Sequence, residues 1–135
     1  ILYVNSQLGF SMEMPLNWMG QVEVEEEYGL HHQNGGNCIT FSHKPTHDNG
    51  EGGILFFIDC YPGEWGEDNP PVVAGHSVVV AQTENYTYLL RTPSDVEYSE
   101  SDPMLAEAYQ SLIAQQDFII SHSYATGQTV ISPNE

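Results

Sequence analysis

Residues 54–61 form an almost unbroken apolar run, Ile-Leu-Phe-Phe-Ile-Asp-Cys-Tyr, between a glycine- and polar-rich stretch at 45–53 and a loop that opens at Pro62. A run of this length bounded by turn residues predicts a central strand, buried on both faces of a sheet. Residues 38–43 supply its neighbour. There Ile39 and Phe41 fall on one face and Cys38, Thr40 and Ser42 on the other, and the connection at 45–53 closes the two strands as a hairpin.

The rest of the chain fits around that pair. Residues 8–14 alternate Leu8, Phe10, Met12 and Met14 with Gly9, Ser11 and Glu13, the period of a half-buried strand, and Pro15 ends it. Val22 and Val24 alternate with Glu23 and Glu25, which predicts a second strand near 21–28 with its acids toward solvent. Residues 77–81 and 86–91 read as another hairpin around Thr83-Glu84-Asn85. Asp102-Pro103 is a helix start, and Leu105, Ala108, Tyr109, Leu112 and Ile113 then repeat with helical spacing, predicting one amphipathic helix over about 102–116. Asp117 closes it, and 118–124 reads as a last strand. Antiparallel pairs followed by one helix and a strand define an α+β fold, an antiparallel β-sheet flanked by helix. The expected organisation is one domain over 1–127 and a polar C-terminal tail over 128–135.

Charge then narrows function. Nineteen acids face two cations, Lys44 and Arg91, in 135 residues, for a net charge of −17. Nucleic acid is excluded as a natural partner because phosphate binding needs a basic patch. Most carboxylates must face water, cap backbone, or meet a cation from outside. Repulsion of this kind keeps a chain soluble, and a monomer is the expectation. No apolar run reaches 18 residues, so no transmembrane segment is expected. The first residue is Ile1 rather than Met, which fits a chain that has lost an upstream leader or anchor and works in an extracytoplasmic setting, secreted or membrane-anchored.

Four stretches carry a resemblance. Residues 3–18 (YVNSQLGFSMEMPLNW), 54–65 (ILFFIDCYPGEW), 85–98 (NYTYLLRTPSDVEY) and 118–124 (FIISHSY) resemble, in pattern and order, exported PsbP-like domains of Gram-positive bacteria. The resemblance spans roughly residues 3–124 and implies a PsbP/Mog-type fold. Members of that fold are mostly binding, accessory or chaperone-like modules. They share no active site, so the resemblance transfers no functional residue.

Candidate chemistry is sparse. If opposing residues sum to about 98, Cys38 faces Cys60 and a cross-strand disulfide is within reach; the alternative is two small buried thiols. His43, His47 and Asp48 offer metal ligands, although Pro45 between the two histidines argues against the helix that would align them. The acids at 25–27, at 64–68 and at Asp95, Glu97, Glu100 and Asp102 raise calcium as an alternative, without the spacing of a dedicated loop. His122 is expected on the apolar face of the last strand. Nucleophile elbows, phosphate loops, zinc-protease and dinucleotide motifs are all absent. The aromatic residues are the better lead: Trp65 in its loop, with Tyr61, Tyr86 and Tyr88 on or beside the hairpins, as contacts for a partner.

These readings converge on a non-catalytic binding or accessory module without cofactors. Its expected partner is a protein or peptide, basic in character, docked on a sheet edge or an aromatic loop. The alternatives are a small hydrolase using the acids at 95–102 and a module dependent on calcium or a transition metal.

Overall fold

The computed structural model describes residues 1–28, 37–63 and 76–126. Within them the strands are β1 (Leu2–Asn5), β2 (Phe10–Glu13), β3 (Val22–Glu27), β4 (Asn37–His43), β5 (Ile54–Pro62), β6 (His76–Gln82), β7 (Tyr86–Thr92) and β8 (Ser123–Ala125). The helices are α1 (Lys44–Asp48), α2 (Pro103–Ile113) and α3 (Gln116–Ser121). All pairings are antiparallel and form two sheets, one ordered β1-β2-β8 and the other β3-β4-β5-β7-β6. The fold is α+β, as the sequence indicates.

The apolar run becomes β5, the middle strand of the larger sheet. Phe56, Ile58 and Cys60 point into the core, while Asp59 and Tyr61 are buried on the opposite face. The core joins both sheets. Leu8, Phe10 and Met12 meet Ile39, Phe41, Phe56, Ile58, Tyr88 and Leu90, and Trp18, Leu112 and Ile119 belong to the same cluster. Phe41 and Phe56 are directly opposite in register, and their rings stack at 4.8 Å.

Asp59 explains how a carboxylate survives in that run. Arg91, on β7, approaches it with both arms of its guanidinium, Nε to Oδ2 at 2.6 Å and Nη2 to Oδ1 at 3.2 Å. The same guanidinium lies 4.0 Å over the Phe57 ring. Only Arg, with its planar fork, can make both contacts at once.

Several boundaries differ from expectation. β1 has no counterpart in the sequence reading, because Leu2 and Val4 are exposed and only Tyr3 and Asn5 turn inward. The strand expected over 118–124 is instead α3 followed by the three-residue β8. An apolar triplet, Phe118-Ile119-Ile120, fits either geometry, and only Ile119 is fully buried. Helix α2 starts as expected, with Asp102 Oδ1 accepting from the Leu105 N–H at 3.3 Å. It ends at Ile113, before the expected 116, and Asp117 falls in the first turn of α3 instead of closing the helix. The turn between the helices is pinned through Gln115, whose Oε1 accepts from Trp18 Nε1 at 2.9 Å and from Asn17 Nδ2 at 3.0 Å. The C-terminal tail over 128–135 lies outside the described residues.

The 45–53 connection is not all loop. Pro45 sits in the first turn of α1, where its missing N–H leaves no hydrogen bond unmade, so it starts the helix it was expected to forbid.

Candidate functional site

β3 reads Val-Glu-Val-Glu-Glu-Glu and, among the described residues, is an edge strand with β4 as its one neighbour. Glutamate is a poor strand former, and what holds the segment in the sheet is its pairing with β4 and two valines. Val22 and Val24 pack against the core, opposite His43 and Phe41. The alternation then places Glu23, Glu25 and Glu27 together on the other face.

Glu26 falls on the valine side and closes the strand's far end. The Tyr3 hydroxyl donates to its Oε2, Asn5 Nδ2 donates to the same oxygen at 3.2 Å, and the Tyr28 hydroxyl donates to Oε1 at 3.0 Å. Asn5 is itself fixed by accepting the Leu8 N–H at 2.9 Å. Burial, and then the neighbouring Glu26, raise the Tyr3 hydroxyl well above its ordinary pKa, so it remains a donor to the carboxylate. This knot straps β1 to β3 through side chains and, among the described residues, makes no hydrogen bond to the backbone edge of β3.

That edge is unpaired among the described residues. The backbone groups of β3 that turn away from β4 make no hydrogen bond among the described residues. The β3–β4 register runs unbroken from Val22 to Glu27, with no bulge to twist the edge away. Six residues at strand spacing give about 20 Å of exposed ladder.

Its charges are open as well. Glu23 has the His47 Nε2 at 3.9 Å. Among the described residues Glu25 and Glu27 make no hydrogen bond or ion pair. The two cations of the chain are engaged elsewhere, Lys44 with Asp48 at 2.9 Å and Arg91 with Asp59. The lysine is held charged mainly by the Asp48 hydrogen bond, which raises its pKa.

No family model matches the chain, and no curated protein or solved structure matches it. The PsbP-like resemblance therefore rests on the sequence pattern alone.

The residues singled out in the sequence are scattered by the fold. Tyr61 and Tyr88 are fully buried, and the Tyr88 hydroxyl donates to the Leu8 carbonyl, so neither ring is presented to a partner as expected. Tyr86 is half-buried against the core, and Trp65 lies outside the described residues. Of the two readings left open for Cys38 and Cys60, the structure has the buried thiols: no disulfide joins them, and both are free. The register is one residue away from the one that would join them. Cys38 faces Asp59 and Cys60 faces Asn37, which puts the two sulfurs on opposite faces of the sheet.

His43 and His47 do not converge with Asp48 either. His43 is 1% exposed, and its Nδ1 is 2.7 Å from Thr46 Oγ1. His47 is exposed, with Nδ1 at 3.1 Å from the Gly52 carbonyl, and Asp48 pairs with Lys44. Among the described residues no group of three His, Cys, Asp or Glu side chains is placed to hold a metal ion. His122 is not on a strand: it caps α3, stacked on Phe118 at 4.1 Å. Of the acids at 95–102, Asp102 is spent as a helix cap, Glu100 is exposed, and Asp95 and Glu97 line a small cavity.

The open acidic edge escaped the sequence reading only in part. The alternation of valine and glutamate marked the strand and its solvent-facing acids. Its place at the end of the sheet depends on strand order, which no local pattern encodes.

Proposed function

We propose that this chain is a non-catalytic binding module that takes an extended, basic segment of a partner protein as an added strand on β3. The observation that carries the reading is a β3 backbone edge with no hydrogen bond among the described residues, bearing Glu25 and Glu27 without a partner among them. Main-chain hydrogen bonds supply affinity in this mode, and alternate side chains supply selectivity.

Charge selects the occupant. A second copy of β3 paired antiparallel on the same edge would set glutamate against glutamate, which is destabilising. The chain cannot supply the complement from within, since Lys44 and Arg91 are both paired. A segment of about six residues with lysine or arginine at alternate positions matches the edge in length and charge.

The test is an amide NMR titration with a peptide alternating lysine and threonine. Saturable shifts and slowed hydrogen exchange confined to β3 are expected. Methylating alternate backbone nitrogens of the peptide keeps its charge and removes its donors, and binding should fall at least about tenfold. Equal binding of the methylated peptide would sink the added-strand reading.

A further inference from the structure

A cavity of about 220 Å³ opens between the start of β5, the segment at 92–98 and helix α2. We infer that it is a binding site for a primary ammonium group on a short aliphatic stem. The inference is independent of the β3 reading and stands if that edge binds nothing.

Its floor and walls are carbon. Leu55 comes from the irregularity in the β4–β5 register, where Phe41 pairs with Phe56 but Ser42 with Ile54, so the extra residue is re-aimed out of the ladder. Ile113 contributes from α2, and the Tyr98 and Tyr109 rings meet at 5.2 Å with a tilt of 53°. The Tyr109 hydroxyl donates to the Ile54 carbonyl, and the Tyr98 hydroxyl accepts from Gln110 Nε2 at 2.6 Å. Burial first, then Glu97 and Tyr98, push the Tyr109 hydroxyl up to about 12, so its ring stays neutral. Neutral tyrosine rings attract cations at their faces.

The polar component is a fixed carboxylate. Glu97 Oε1 accepts from the Ile54 N–H at 3.3 Å, and its carbonyl accepts from the Gly53 N–H at 2.9 Å. The side chain lies directly over Gly52: a Cβ there would sit 2.5 Å from Oε1, and the φ of +87° is itself a glycine conformation. Oε2 accepts no hydrogen bond among the described residues. Asp95 shares the lining, which contains no Lys, Arg or His among the described residues.

Size and charge together define the ligand. The cavity is smaller than the roughly 300–1,000 Å³ of sites for drug-sized ligands and cofactors, so a nucleotide or ring cofactor does not fit. Two carboxylates disfavour an anion. An alkylammonium ion fills the apolar part with its stem and reaches Glu97 Oε2 with its charge. The same chemistry is offered by a free amine and by a lysine side chain.

The experiment is a methyl NMR titration of the whole chain with n-butylammonium, following Leu55, Val96 and Ile113. Saturable shifts at those methyls are expected, with n-butanol giving none at equal concentration. Glu97→Gln keeps the acceptor for Ile54 and should weaken the amine about tenfold; Asp95→Asn, at an exposed position, should weaken it less. Nα-acetyl-lysine N-methylamide serves as the second arm. Binding comparable to butylammonium assigns the site to protein lysines, and binding of butylammonium alone assigns it to small amines. Equal shifts with butanol, shifts away from these methyls, or unchanged binding in the Glu97→Gln protein would each overturn the inference.

Discussion

Arg91→Met tests what holds the middle of the larger sheet. In the native chain Asp59 is 1% exposed and is gripped by both guanidinium arms, at 2.6 Å and 3.2 Å. The substitution keeps an apolar stem against Phe57 and removes the cation from beside a buried carboxylate. Breaking a buried pair in this way costs about 3–5 kcal/mol, far more than a surface pair contributes. An unfolding entropy of about 2.1 cal/mol/K per residue over a chain of 135 gives about 0.28 kcal/mol/K. The melting temperature should therefore fall by about 10–18 °C. The assay is thermal and urea unfolding of four proteins: native, Arg91→Met, Asp59→Asn, and the double variant. The double variant leaves no lone ion, so it should regain at least about half of the loss, and the two single costs should not add. A fall under about 3 °C for Arg91→Met, or additive single costs in the double variant, would refute the argument that the pair compensates a buried charge.

Three further outcomes follow from the packing. Burial lowers the pKa of His43, so its folded value lies below the unfolded one of about 6.5; its contribution is fully present above that pH and is lost as pH falls through the folded value. Native protein should accordingly lose more urea resistance between pH 7 and pH 5 than His43→Gln, the difference cancelling the carboxylate effects common to both. Burial pushes Cys38 and Cys60 up to about 12 each, leaving a thiolate fraction of about one in ten thousand at pH 8. Intact mass should show no iodoacetamide adducts on folded protein and two after unfolding. Gly50 and Gly53 share positive φ, but a Cβ meets nothing within 4 Å at Gly50 and lies 2.9 Å from the His47 nitrogen at Gly53. Gly50→Ala should cost about 1 kcal/mol in urea unfolding, and Gly53→Ala clearly more.

The sequence displays the fold best where one segment holds the whole signal. The run at 54–61 marked β5 because burial on both faces leaves no polar alternation. Asp102-Pro103 marked the start of α2 because the cap and the fixed φ act within four residues. Failures came where the deciding interaction was distant. β1 is ordered by Tyr3 and Asn5 reaching Glu26, and its own Leu2 and Val4 carry no pattern. The register of Cys38 is set by where β4 and β5 are joined, through α1 and the glycine turn, and a slip of one residue reverses every side chain. The acids of β3 were legible, but the lining of the cavity was not, because Leu55, Glu97 and Tyr109 come from three separated segments.

Salt separates the protein's own electrostatics from those of its proposed complex. The charge of −17 and the two engaged cations leave repulsion among exposed carboxylates as the dominant long-range term in the free chain. Raising ionic strength from about 0.01 M to about 0.15 M shortens the screening length from about 30 Å to about 8 Å. That weakens repulsion along Glu23, Glu25 and Glu27 but barely touches the buried Asp59–Arg91 pair, whose Asp59 side chain is 1% exposed. Melting temperature should therefore rise with salt. A basic strand seated on β3 gains from the attraction that salt screens, so its affinity should fall over the same range. Opposite signs from one titration tie both effects to the same carboxylates, and Glu25→Gln with Glu27→Gln should flatten both slopes together. A melting temperature that falls with salt would place the dominant charge effect in pairs instead of repulsion. A salt-independent affinity would mean that the glutamates of β3 do not select the partner.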